Sequence, residues 1–187
     1  MDNELSPDIK KNPKILFLSE HLIANSHVDF FILALNSVGS TLSHDYQSIC
    51  QFTKSLCLER AVSDFVHSHK IDYVVINFGH WRPLAPSQLE TLRTKVATFA
   101  VFPDLEHTVE ADAHILPLFD GVWVLGVSAL DLARKYNENV IFGQPLVDNW
   151  PSEKLAENRD IDLCFMGGCA RADRAKYLKS LSRFAEQ

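Results

Sequence analysis

Hydrophobic residues in this chain come in two arrangements: short unbroken runs, and stretches in which they return every three or four positions. KILFLS at 14–19, IDYVVINF at 71–78, VATFAVF at 96–102, DGVWVLGVS at 120–128 and NVIFGQP at 139–145 are runs of the first kind. That is the pattern of strands buried on both faces. TLSHDYQ at 41–47 predicts a further short strand. The spacing of Val28, Phe31, Ile32, Leu35 and Val38 predicts a helix over 27–38, with Gly39 as its C-terminal cap. Leu56, Ala61, Phe65 and Val66 predict a helix over 53–69. A loop at 79–88 leads into a helix reaching about Leu92, and another helix is expected over 106–117, ending at Pro117. Ser128 is the expected N-cap of a helix through ALDLARKY.

Strands alternating with helices predict an α/β fold, a mostly parallel sheet flanked by helices with right-handed crossovers. The boundaries read as a flexible leader at 1–13, a domain at 14–148 and a polar linker at 149–159 around Pro151. DIDLCFMGGCARADRAKYLKSL, which opens 160–187, reads as strand, glycine turn and helix. It is expected to be the first βα unit of a second domain, most of which is missing after Gln187. A strand without its native neighbours favours self-association through an edge or a swapped dimer.

The chain has 187 residues, 47% of them hydrophobic and 22% charged, as in ordinary globular proteins. Its net charge of −6 and scattered basic residues argue against a nucleic-acid-binding face. No apolar run approaches the roughly 20 residues of a membrane helix, and the polar start MDNELSPDIKKNPK has no signal-peptide core. A cytoplasmic location follows as the expectation. Cys50, Cys57, Cys164 and Cys169 form no CxxC pair, so neither a zinc site nor a redox pair is expected.

In parallel sheets ligands gather at the carboxyl ends of the strands. That directs attention to the loops at 19–27, 78–86, 103–107, 126–128 and 143–149. SEHLIANSH after the first strand lacks the glycines of a dinucleotide or phosphate loop, and offers Glu20 as a ligand contact or base, or simply as part of a solvated loop. GHWRP at 79–83 offers His80 as a general base near neutral pH, Trp81 as a stacking surface and Arg82 as an anion fork; surface packing and solvation explain them as well. FPDLEH at 102–107 presents Asp104, Glu106 and His107, equally suited to a clamp or to the first turn of a helix. In GGCARADR, Gly167 and Gly168 let backbone approach a ligand, and Arg171 and Arg174 stand where an anion would be held; a plain strand-to-helix turn needs the same glycines.

Taken in order, KILFLS, DYVVINFG, the FPD loop, FDGVWVLG, NVIFGQPLVDNW and DIDLCFMGG with its following Arg and Leu resemble the amino-terminal half of GT-B-fold glycosyltransferases, in particular the spore-maturation group. The resemblance spans residues 14 to about 184. Asp104 matches that family's loop aspartate, and Gln144-Pro145-Leu146-Val147-Asp148 is similar to the stretch that closes its first domain. Asp162 to Gly168, with Arg174 and Leu178, is similar to the stretch that opens its second, with Gly168 where the family often has serine. The resemblance implies a Rossmann-like amino-terminal domain on the acceptor side of a metal-independent enzyme with no further cofactor. It implies a nucleotide-sugar donor and an acceptor that the sequence does not identify. Gly167, Gly168 and Arg174 would face an interdomain cleft near the donor phosphates. Glu20, His80 and Asp104 are the candidate bases for an acceptor hydroxyl. As a fragment the chain is expected not to turn over nucleotide-sugars. The competing expectation is a degenerate receiver-like domain of the CheY type, or another non-catalytic α/β interaction module. A working receiver needs an aspartate where Asn77 ends the third strand, more acids than Glu20 after the first, and a lysine after the fifth, where Leu125-Gly126-Val127 stand.

Overall fold

The computed structural model describes residues 12–20, 22, 27–78, 84–103 and 105–143. The chain divides into two units, Met1–Val147 and Asp148–Gln187, and every described residue belongs to the first. The linker and the βα unit expected beyond residue 148 lie outside the described residues.

Six strands form one all-parallel sheet, with helices on both faces, a Rossmann-like α/β arrangement. The strands are β1 (Lys14–Ser19), β2 (Ser40–Asp45), β3 (Tyr73–Asn77), β4 (Ala97–Phe102), β5 (Gly121–Val124) and β6 (Val140–Phe142). Between them run α1 (His27–Asn36), α2 (Tyr46–Thr53), α3 (Leu58–His69), α4 (Pro86–Arg93), α5 (Leu105–Asp112) and α6 (Val127–Ala133). The spatial order is β2-β1-β3-β4-β5-β6. The chain therefore steps once to one side, from β1 to β2. It then crosses back over β1 and continues the other way through β3 to β6.

Right-handed connections turn this order into a distribution of helices. The single step toward β2 places α1 on one face, where Phe31, Ile32 and Leu35 pack on Ile15, Phe17, Val75 and Val101. Every later crossover runs the opposite way and places its helices on the other face. There Ile49 of α2, Phe65 of α3, Leu89 and Leu92 of α4, Leu105 of α5 and Ala129 of α6 cover Leu16, Leu18, Val74, Ile76, Ala100, Phe102 and Val124. Phe78, Phe102 and Phe119 meet there in one aromatic group, with ring centres 5.1–6.3 Å apart.

Several local expectations change. Residues 46–53 form a helix of their own, because Asp45 ends β2 and caps α2, its carboxylate accepting from the Ser48 N–H at 2.6 Å. The helix expected over 53–69 consequently starts only at Leu58. Lys54 and Lys70, both with φ 55°, close α2 and α3 in the left-handed conformation usually taken by glycine. Gly39 is not left-handed. Its requirement is space: a Cβ there would lie 2.3 Å from the Pro13 carbonyl oxygen, which accepts from the Ser40 N–H at 2.8 Å. The helix expected to reach Pro117 stops at Asp112, and Leu116–Leu118 form a separate 3-10 turn around that proline. Gly126, not Ser128, is the N-cap of α6, and the cap bond by a side chain is absent there.

Candidate functional site

In a doubly wound sheet the crevice opens where neighbouring strands send their connections to opposite sides, beyond their carboxyl ends. Here that junction lies between β1 and β3, since α1 leaves β1 on one face and α4 follows β3 on the other. Each strand ends there in a small uncharged polar residue. Ser19 is 1% and Asn77 4% exposed, among continuous apolar neighbours such as Leu18 and Ile76. Alternation along the strands directs both toward the α1 face, in line with Phe17 and Val75.

Asn77 Nδ2 donates to Ser19 Oγ at 3.2 Å. Its Oδ1 is fully buried and has no hydrogen-bond partner among the described residues. A buried acceptor left unpaired costs about 1–3 kcal/mol. The Tyr46 hydroxyl, at the start of α2, donates to the Asn77 carbonyl at 3.0 Å and ties this strand end to the helix that follows β2. The Phe78 N–H donates to the Val101 carbonyl at 2.8 Å and carries the ladder one residue further. Glu20, next to Ser19, is half-buried. The six strands end in Ser19, Asp45, Asn77, Phe102, Val124 and Phe142, so no strand-end residue carries a positive charge.

Of the candidate bases and donor-side residues that the resemblance implies, only Glu20 falls among the described residues, and it follows β1 at this junction; Glu106 and His107 lie in the first turn of α5. His80, Asp104, Gly167, Gly168 and Arg174 lie outside the described residues. In the sequence Asn77 stands out only as a missing phosphoacceptor, and Ser19 only as one of several polar residues in the loop after the first strand. An apolar strand that ends in a lone Asn or Ser was the available signal, for such a residue is buried by the sheet and must find a partner.

A hollow lies elsewhere. Beside α1, the half of that face over β4, β5 and β6 forms an open groove of about 810 Å³. Leu35, Val38, Val75, Phe99, Trp123 and Ile141 line it. It is almost wholly apolar; the Trp123 indole N–H is already given to the Gly143 carbonyl at 2.6 Å. It therefore offers mainly apolar surface, with Glu138 as the charged residue in its lining.

On the opposite face, His44 of β2 sits in an aromatic group with Phe52, Phe65 and His69. Burial holds its imidazole below the usual histidine range, opposed by Asp45 and assisted by His69. Burial, with neighbouring Cys57, pushes the Cys50 thiol up, which makes it a poor nucleophile. Among the described residues no group of three or more His, Cys, Asp or Glu side chains is placed to hold a metal ion, and no helix is long and apolar enough to cross a membrane. The chain matches no protein-family model, no curated protein and no solved structure.

Proposed function

We propose that this domain is the acceptor-side domain of a glycosyltransferase, receiving a hydroxyl-bearing acceptor at the β1–β3 junction while a nucleotide-sugar is the donor. The observation that carries this reading is the uncharged Ser19–Asn77 pair at the switch point, with Glu20 following Ser19 in the chain. A phosphate needs cations or a ring of free N–H groups; these strand ends supply neither a lysine nor an arginine. A hydroxyl needs a neutral partner and, for attack on an anomeric carbon, a base. Glu20 takes that role, accepting the hydroxyl proton as the new glycosidic bond forms and the nucleoside diphosphate leaves. The order of motifs along the chain points the same way.

The test uses protein expressed from the full reading frame that contains this sequence. One nucleotide-sugar from a broad panel is expected to raise its melting temperature, and Glu20→Gln is expected to lower sugar transfer at least 100-fold while leaving that rise intact. A panel that leaves the melting temperature unmoved refutes the reading.

Strand order favours one second reading. The sequence β2-β1-β3-β4-β5 is also that of signalling receivers, and Asn77 stands at the end of β3, where a receiver carries its phosphorylated aspartate. An amide does not take up a phosphoryl group, so under this reading the domain is a non-catalytic interaction module. Beryllofluoride and acetyl phosphate are expected to leave the protein unaffected; a melting shift with either would favour a receiver.

A further inference from the structure

The Asn77 amide poses a narrower question than the fold does. It is as deeply buried as the core, and its Nδ2 is used on Ser19, yet its Oδ1 has no partner among the described residues. Packing alone does not call for an amide here, since valine or leucine would complete β3 without an unpaired atom. The backbone at this point is held from the other face by the Tyr46 hydroxyl, so the amide is fixed at the junction. Thr98 and Thr41 also leave a hydroxyl oxygen unpaired, but neither lies at a carboxyl end: both sit near the start of their strands.

The ligand group that suits this position follows from what the amide offers. With Nδ2 on Ser19, Oδ1 asks for a donor. With the amide turned over, the Ser19 hydroxyl donates to Oδ1 and Nδ2 asks for an acceptor. A hydroxyl satisfies both orientations; a sulfate or carboxylate anion, which carries no O–H, satisfies only the second. We propose that Asn77 is the residue that recognises a hydroxyl of a neutral polyhydroxylated ligand, a sugar or polyol, at the β1–β3 junction, with Ser19 as its positioning residue. This rests on reading the junction as the acceptor side, and it specifies the residue and the ligand class.

The experiment is a saturation-transfer NMR titration of the full chain with methyl glycosides and myo-inositol, with sulfate as the anionic competitor. At least one neutral polyol is expected to bind saturably, and sulfate is expected not to displace it. Asn77→Ala is expected to weaken that polyol about tenfold. Ser19→Ala is expected to weaken it several-fold and Ser19→Thr, which keeps the hydroxyl, to restore it; a merely structural role for Ser19 would favour alanine over the bulkier threonine. Asn77→Ser supplies a second variant that keeps a polar group should the alanine protein fail to fold, and it is expected to bind between wild type and alanine. Undiminished binding in the Asn77 variants, no saturable polyol, or sulfate in competition with the polyol would each overturn the proposal. The transferase reading fails separately: polyol binding through Asn77 combined with no response to any nucleotide-sugar would reject the enzyme and leave this assignment standing.

Discussion

The two faces of the sheet are built to different standards. One is covered by five helices, and its strand residues Leu16, Ile76, Ala100 and Val124 are fully buried. Among the described residues the other is covered by α1 alone, so that Trp123 is half-buried and Ile141 is 62% exposed. Composition does not explain the contrast, because both faces are apolar. Topology does: right-handed crossovers put a helix on the second face only when the chain steps toward β2, and it does so once. The face of a parallel strand is thus apolar for a reason that its own segment does not reveal. It depends on which way the next strand is added.

The largest expected effect tests that contrast directly. Phe102→Ala, on the covered face, is expected to cost about 3–5 kcal/mol in urea unfolding, whereas Ile141→Ala is expected to stay within about 0.5 kcal/mol of wild type. Equal losses would mean that the second face is packed as fully as the first. Glycine substitutions sharpen the point. Gly39→Ala drives a Cβ into the Pro13 backbone and is expected to cost about 3 kcal/mol; Gly121→Ala meets the Phe99 ring at 2.8 Å on the open face, where the ring has room to swing, and is expected to cost about 1 kcal/mol. Reversal of that order would show that Phe99 is held rigidly. Tyr46→Phe removes the hydrogen bond to the Asn77 carbonyl and is expected to cost about 1 kcal/mol in the same unfolding experiment. No loss would mean that water replaces it freely.

The smallest effect is a matter of pH. Burial lowers the folded pKa of His44 below its unfolded value of 6.5, so the unfolded chain takes up the proton more readily. The contribution of the neutral imidazole is complete above about pH 6.5 and declines as pH falls through that value toward the folded one. Melting temperature is therefore expected to drop on acidification, and His44→Gln to flatten that drop; Asp45, which opposes the shift, keeps the change small. A mutant curve parallel to wild type would assign the acid sensitivity elsewhere.

Strands were the legible part of the sequence. KILFLS is β1 to the residue, and the other runs contain β3, β4, β5 and β6, because burial on both faces leaves an unbroken apolar signal. Helix ends were less legible. Lys54 and Lys70 terminate helices in a conformation that sequence reasoning assigns to glycine, while Gly39, a glycine in the expected place, is there for close contact. The split between α2 and α3 was hidden because Asp45 reads as a strand residue until its carboxylate is seen on the Ser48 N–H. At the candidate site, Glu20 could be picked by its loop. Asn77 and Ser19 could not be joined in advance, because nothing in either segment says that β1 and β3 are neighbours.

That adjacency has a kinetic consequence. Ser19 and Asn77 stand 58 positions apart, whereas every other strand pairing in the sheet joins residues less than half as distant. Growth from β3 outward to β6 proceeds by short closures, each cheap in chain entropy, and the β1–β2 unit forms as locally. The β1–β3 seam carries the largest loop-closure entropy in the sheet, and the Ser19–Asn77 pair depends on that seam being in place.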